Sequence, residues 1–378
     1  MAYPKRWVDF ITRSETESRI KAMISLAKSE PGVPIRRSEF DSDPMLFNCA
    51  NGTIDLRTGK LRSHRREDLI TKLSPAMYDP EAKDDIWDKV IHDATGGDPE
   101  LQTFLRNATG YSLTGETHEE VLFLVLGPQS TGKTTFLEAI KSALGDYAMT
   151  ADFEALLSRR DVGGPRNDIA RLAGARLVAA SEVDEGKKFS HGLVKMLTGG
   201  DTITARKLYQ EAFEFRPTFK LWLAANHAPK LRADDDAMWR RIIRVPFTHI
   251  VMRCDRRVKA HVRDVSKSGS AILAWMVQGC LDWQKHGLRV PQLVEAATAD
   301  YRESQRPLRD FLSDCCLLNP AVWVSTSDLR SEYERWAKGR GDCNPLMGNS
   351  FTEELKAYGL EPRKRQNTRG WQGIGLSS

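Results

Sequence analysis

No apolar stretch in this chain reaches membrane-spanning length, and its opening, Met1-Ala-Tyr-Pro-Lys-Arg, lacks the apolar core of a secretory signal. A cytoplasmic protein is therefore the default expectation. Cysteine is scarce: Cys49, Cys254, Cys280, Cys315, Cys316 and Cys343 form no C-x-x-C pair, and no histidine follows them at finger spacing. That argues against a zinc site and for reduced, mostly buried thiols. There is no internal repeat and no low-complexity tract, which excludes a solenoid. Charge imbalance is small too: net +5 does not by itself argue for a polyanionic partner.

What is present is ordinary in amount and specific in placement. The 378 residues suffice for two or three domains with real cores. Lys and Arg cluster at LRSHRR (61–66), RCDRRVKAHVR (253–263) and EPRKRQNTR (361–369). Each cluster reads either as a solvated face or as a polyanion-binding surface. LFNCANGTIDLRTGKLRSH (46–64) alternates apolar and polar residues around Asn-Gly and Thr-Gly turns and reads as a hairpin. Helical patterning follows in 84–95 and 99–113. VLFLVL (121–126), RLVAAS (176–181), FKLWLAAN (219–226) and RIIRVPF (241–247) are short apolar runs, suited to parallel strands buried on both faces. TTFLEAIKSALG (134–145) is an amphipathic helix with a glycine stop. Residues 255–305 read as helical. After Pro307 come a helix in 324–341, with Thr326, Ser327 or Asp328 as cap, a second in 349–360, and a basic Gly-rich turn between strand-like ends. Helix, helix and wing in that order predict a winged-helix-like module.

The chemistry concentrates at GPQSTGKTT, Gly127, Pro128, Gln129, Ser130, Thr131, Gly132, Lys133, Thr134 and Thr135. Its G-x-x-x-x-G-K-[ST] spacing lets backbone N–H groups curl around phosphate oxygens, with a helix N-terminus behind them. Lys133 would meet the β- and γ-phosphates and the Thr134 hydroxyl would meet Mg²⁺, so ATP and Mg²⁺ are the expected ligands. Cleavage needs an acid at the end of a second strand. Glu182 directly follows RLVAAS, with Asp184 and Glu185 close behind in what reads as a polar turn. Asn226 ends a third apolar run and reads as a γ-phosphate sensor or as the cap of the next turn. Arg240 and Arg241 precede a fourth and read as salt-bridge partners or as a cation for a neighbour's phosphate.

SEVDEG, KMLTGGDTITARKLYQEAFEFRPTFKLWLAANHAP and DDDAMWRRIIRVPF together resemble the superfamily 3 helicase core of phage and plasmid primase–helicases, relatives of the poxvirus primase–helicase. The resemblance spans roughly 45–250 and loosely the C-terminal segment. It implies an α/β fold: a P-loop, AAA+-like superfamily 3 core at 119–250 after a mostly helical segment at 1–118. A helical extension at 251–305 and a winged-helix-like domain at 306–378 would follow. It implies an ATP-dependent replicative DNA helicase, a homo-oligomeric and typically hexameric ring acting on single-stranded and forked DNA in the cytoplasm, that of a bacterial host if phage- or plasmid-encoded. Lys133, Glu182, Asn226 and Arg241 would be catalytic, with Thr134 and Glu182 on the metal and Arg241 as the arginine finger. Arg206, Lys207 and Tyr209 match a pore hairpin that grips DNA, with an interior ion pair that positions the hairpin as the alternative for Arg206. Lys364, Arg365 and Arg369 are the C-terminal DNA candidates, with a protein partner as the alternative; Trp371 reads as packing. The single Glu182 after Ser181 departs from the tandem acids common in the family. No primase domain fits within 1–45, so priming belongs to a longer parent protein or to a partner.

An ATP-gated initiator that melts an origin without travelling would use the same residues. A protein-remodelling NTPase would carry an apolar pore loop in place of TARKLYQ, and a metabolic kinase would lack the asparagine strand and the trans arginine.

Overall fold

The computed structural model describes residues 4–152, 167–181, 189–206, 210–251, 255–340, 345–346 and 348–377. The first two helices, α1 (Lys5–Ser14) and α2 (Glu17–Ala27), bury no residue; Trp7, Phe10, Met23 and Leu26 are exposed on them. The alternating stretch expected as a hairpin forms three antiparallel strands, β1 (Leu46–Cys49), β2 (Gly52–Asp55) and β3 (Lys60–Arg62). Two helices follow, α3 (Asp85–Thr95) and α4 (Pro99–Tyr111). Each is started by an aspartate side chain that accepts the first free backbone N–H groups: Asp84 for α3, Asp98 for α4.

The apolar runs become strands of one five-stranded parallel sheet. β4 (Leu122–Leu126) leads into α5 (Lys133–Leu144), which ends at Gly145 with φ 55°. β5 (Ala148–Thr150), a short edge strand, lies outside the sequence expectation. After α6 (Asn167–Ala170) comes β6 (Leu177–Ser181), then α7 (His191–Thr198). A small antiparallel hairpin, β7 (Ile203–Arg206) with β8 (Ala212–Phe215), leads to β9 (Lys220–Ala225). The one-turn helix α8 (Asp236–Trp239) precedes β10 (Ile242–Pro246). In space the order is β10-β4-β9-β6-β5.

Pleating explains how one sheet feeds two cores. Phe123 and Val125, Leu177 and Ala179, Trp222 and Ala224, and Ile243 and Val245 point to one side. They pack there with α3, α4, α5 and α10 (Ser270–His286). Leu122 and Leu124, Val178 and Ala180, and Leu221 and Leu223 point to the other side, with residues of α7, α8 and α11 (Gln292–Ser304), the last supplying Tyr301. From Met45 onward the N-terminal segment is thus packed into the first of these cores.

Two buried cations fasten that segment to the N-terminal ends of the strands. Arg176 Nη1 donates to the Leu113 carbonyl at 2.6 Å and Nη2 to that of Leu46 at 2.7 Å, and the guanidinium lies 4.8 Å from the Tyr147 ring centre. Lys220 Nζ donates to the carbonyl oxygens of Thr114, Glu116 (3.1 Å) and Thr218 (3.3 Å), and sits 4.6 Å from the Tyr111 ring centre. Burial pushes the Lys220 ammonium well below its usual pKa, with the Arg176 charge adding to the effect.

α9 (Arg256–Arg263) joins the sheet region to α10 through a π-helical turn, Val265–Gly269. The remaining residues form a third core: α12 (Arg309–Cys315), β11 (Cys316–Ser325), α13 (Thr326–Gly339), α14 (Asn349–Ala357), β12 (Glu361–Arg365) and β13 (Thr368–Leu376). The strands pair antiparallel in the order β11-β13-β12. The cap of α13 is Ser325, one residue before the expected candidates, because its Oγ accepts the Asp328 N–H at 3.0 Å. Among the described residues no helix is long and apolar enough to cross a membrane.

Replacing Lys220 by Met keeps the volume and leaves its carbonyl acceptors unpaired. Lys220→Met should lower unfolding free energy by about 2–3 kcal/mol in denaturant titrations.

Candidate functional site

A parallel sheet gathers the C-terminal ends of its strands on one edge. In β4 and β9 Leu126 is the register partner of Ala225, so the next residues, Gly127 and Asn226, leave the sheet side by side. Gly127 has no alternative there. A Cβ on it would stand 1.8 Å from the Phe247 carbonyl oxygen, where the chain leaves β10. The loop then turns through Ser130 (φ 63°) and Gly132 (φ 86°) into α5. The Ser130 carbonyl accepts the Val251 N–H at 2.9 Å, which ties the loop to the segment after β10.

Lys133 opens α5 and is 7% exposed. Its Nζ donates to the carbonyl oxygens of Gly127 at 2.7 Å and Pro128 at 2.6 Å, with Thr131 Oγ1 at 3.3 Å. Burial lowers the ammonium pKa, yet these acceptors hold the charge inside the curl of the loop. A phosphate entering the curl offers a stronger, charged acceptor in their place. The Thr134 hydroxyl, exposed on the first turn of α5, has no partner among the described residues, which suits a hydroxyl ligand for Mg²⁺ beside the phosphates.

The loop floors a cavity of about 640 Å³. Gln129 to Thr135 and Asn226 line it, which brings the loop and the sensor candidate together. Its other walls are two helices that sequence reasoning did not assign to a site. Lys89, Val90, Asp93 and Ala94 come from α3; Arg256, Val258 and Lys259 come from α9. The basic run at 253–263 had been visible as charge without an address; Arg256 and Lys259 place part of it at the mouth of this cavity. The two walls are joined by Asp84, the α3 cap. Its Oδ2 accepts from Ser268 and lies 3.0 Å from His261 Nε2 on α9. Burial acts to raise the Asp84 pKa, and the Ser268, Ile86 and His261 hydrogen bonds outweigh it, so the carboxylate stays ionised.

Other candidates stand as follows. Glu182, Lys207 and Tyr209 lie outside the described residues. Arg206, at the end of β7, is exposed, and its Nε donates to the Gln210 carbonyl at 3.1 Å, so it closes the hairpin and is not an interior ion pair. Lys364, Arg365 and Arg369 are exposed on the β12–β13 hairpin, whose turn residues Gln366 and Asn367 both have positive φ. Trp371 is buried in the C-terminal core, as its packing role required.

Arg241 differs from expectation. It is 7% exposed. Its Nη1 donates to the Ala237 carbonyl at 2.7 Å and its Nη2 to Glu120 Oε2 at 2.8 Å. The cause is Glu120, which lies beside Arg241 because Leu122 pairs with Ile242 in the sheet. The Arg241 guanidinium is thus engaged within its own chain. Arg240, the preceding residue, is exposed, and its guanidinium has no partner among the described residues.

Comparisons with known proteins can now be set beside this geometry. Residues 2–96 match the family described as D5 N terminal like, and residues 125–241 match a family of unknown function, DUF5906. "Putative helicase L207/L206" of Acanthamoeba polyphaga mimivirus is 28% identical over 327 residues, covering 80% of this chain and 34% of that protein. "Putative helicase 022R" of Frog virus 3 is 24% identical over 378 residues, covering 78% of this chain and 39% of that protein. The chain thus spans little more than a third of these relatives. The solved apo structure of the NrS-1 C terminal region (305-718) is 10% identical, with a TM-score of 0.50 over 94% of this chain and 90% of that one. The fold is shared with that region. The resemblance drawn from the motifs holds: the chain is related to viral proteins that carry the helicase name.

Gly127→Ala should force the Phe247 carbonyl away and distort the loop. The expected loss is about 3 kcal/mol of stability in denaturant titrations, together with loss of binding to a fluorescent ATP analogue.

Proposed function

We propose that this relative of the viral helicases is the motor segment of an ATP-dependent DNA helicase, built as a superfamily 3, AAA+-like core that works in a homo-oligomeric ring, typically hexameric. The observation that carries the proposal is the convergence of the loop and Asn226 in one cavity, with a hairpin, β7–β8, in the chain connection between the paired strands β6 and β9. A loop that only bound nucleotide would not need a polar side chain beside the γ-phosphate position. A hairpin inserted between two strands of the engine is placed to move with them.

In this reading Lys133 and the backbone N–H groups of the loop hold the triphosphate, Thr134 and Glu182 hold Mg²⁺, and Asn226 orients the attacking water. Mg²⁺ supplies charge neutralisation between the phosphates. Glu182 is the acid by its position one residue beyond β6. The arginine that reaches a neighbour's phosphate is Arg240, since Arg241 is occupied with Glu120 and Ala237. Arg206, Lys207 and Tyr209 contact single-stranded DNA at the hairpin. A cation tracks phosphate and a ring stacks on sugar or base, which gives a grip indifferent to sequence. The C-terminal module is read as a winged helix, with Lys364, Arg365 and Arg369 on forked DNA. A primase activity would reside elsewhere in a longer protein or in a partner.

Two measurements test this reading. Lys133→Ala should abolish both ATP turnover and unwinding of a long tailed duplex; unwinding that persists in the variant would remove this loop as the engine. Arg240→Ala should bind ATP normally and turn it over about a hundredfold more slowly or worse. Doped into wild type, it should depress activity by more than its molar share. Loss in simple proportion, or the same behaviour shown by Arg241→Ala alone, would return the trans role to Arg241 or abolish it.

A further inference from the structure

Helix α7 runs directly into the β7–β8 hairpin through the Gly199-Gly200 turn, so whatever fixes α7 fixes the root of the hairpin. Asp235, the cap of α8, grips it. At its first turns, His191 Nδ1 lies 2.7 Å from Asp235 Oδ2, and Lys195 Nζ donates to both Asp235 oxygens at 2.8 and 2.9 Å. His191 and Lys195 are four residues apart and share one face of α7. The same carboxylate caps α8, accepting the Met238 N–H at 3.1 Å. Burial acts to raise the Asp235 pKa, but the Lys195 and His191 hydrogen bonds draw it down to about 2, so it is ionised throughout the working range. At the far end of α7, a Cβ on Gly199 would lie 3.8 Å from Arg241 Nη2. The Arg241 guanidinium therefore lies beside the C-terminal cap of α7.

Beside this contact Leu193, Val194 and Leu197 share a core with Met238 and Trp239. Apolar contact alone is non-directional and lets one helix slide on another. A carboxylate that caps one helix and receives two donors from the other fixes their axial positions. Arg240 stands between Trp239 and Arg241 and is exposed.

We propose that Asp235 with Lys195 is a positioning clamp that makes the exposed Arg240 and the β7–β8 hairpin the two ends of one rigid piece, so that engagement of Arg240 by a neighbouring subunit's nucleotide displaces the hairpin. This inference rests on the motor reading above and adds the residues that transmit motion from nucleotide to DNA. Asp235 and Lys195 touch neither, and act through the placement of α7 and α8.

The test measures ATP turnover by the full chain with and without single-stranded DNA, for Asp235→Asn, Lys195→Met and Lys195→Arg. Asp235→Asn keeps an oxygen for the Met238 N–H, and Lys195→Met keeps the stem. Basal turnover in both should stay within about twofold of wild type. The ratio of DNA-stimulated to basal turnover should fall at least about fivefold, and half-saturating ATP should not change. Lys195→Arg, which restores the charge, should recover most of the ratio. An unchanged ratio in both variants overturns the clamp, and so does a parallel fall of basal and stimulated rates, which marks a role in folding alone. Failure of the underlying reading looks different: wild type itself would show no stimulation by DNA.

Discussion

The parallel pairing of β4 with β9, Leu126 against Ala225, is the constraint on which the remaining structure depends. It sets the phosphate loop and Asn226 next to each other, and it does so only in this register. A slip of one residue would turn Trp222 and Ala224 from the first core into the second and carry Asn226 away from the loop. Much of the rest of the fold holds the register. At the N-terminal ends of the strands Lys220 and Arg176 are bonded to the carbonyl oxygens of the α4–β4 connection and of β1. At the C-terminal ends the Phe247 carbonyl closes on Gly127. The sheet is pinned at both edges and the chemistry sits at one of them.

The cavity above the loop is composite. Its floor comes from the loop, one wall from α3 in the N-terminal segment and another from α9 beyond the sheet, and Asp84 ties the two walls together. Lys89, Arg256 and Lys259 stand around the opening together with Asp93 and Asp255, and the apolar Val90, Ala94 and Val258 offer a surface for the uncharged part of a ligand.

The parts of this arrangement legible in sequence are those in which local chemistry decides the outcome. Short apolar runs bounded by polar turns suit strands buried on both faces. The glycine and lysine spacing of the loop suits a backbone that curls around phosphate. The turn residues of 46–64 announced antiparallel pairing, and the third strand and the brief edge strand β5 were too short to register. Residues whose role comes from partners distant in the chain were not legible. Lys89 and Asp93 are ordinary helix-surface residues until α9 folds over against them. Arg240 and Arg241 are indistinguishable as a pair; what separates them is Glu120, brought alongside by the β4–β10 pairing, which takes Arg241 inward. Asp235 read as one acid in a run of three, and its contact with α7 depends on how Met238 and Trp239 dock.

Electron microscopy of the chain with a non-hydrolysable ATP analogue and a forked DNA tests the central claim most directly, since it sees the assembly, the subunit boundary and the DNA together. The account predicts a closed ring with Arg240 of each subunit facing the next subunit's nucleotide and one DNA strand in the channel against the β7–β8 hairpins. Single subunits, or DNA bound on a face remote from those hairpins, would contradict it.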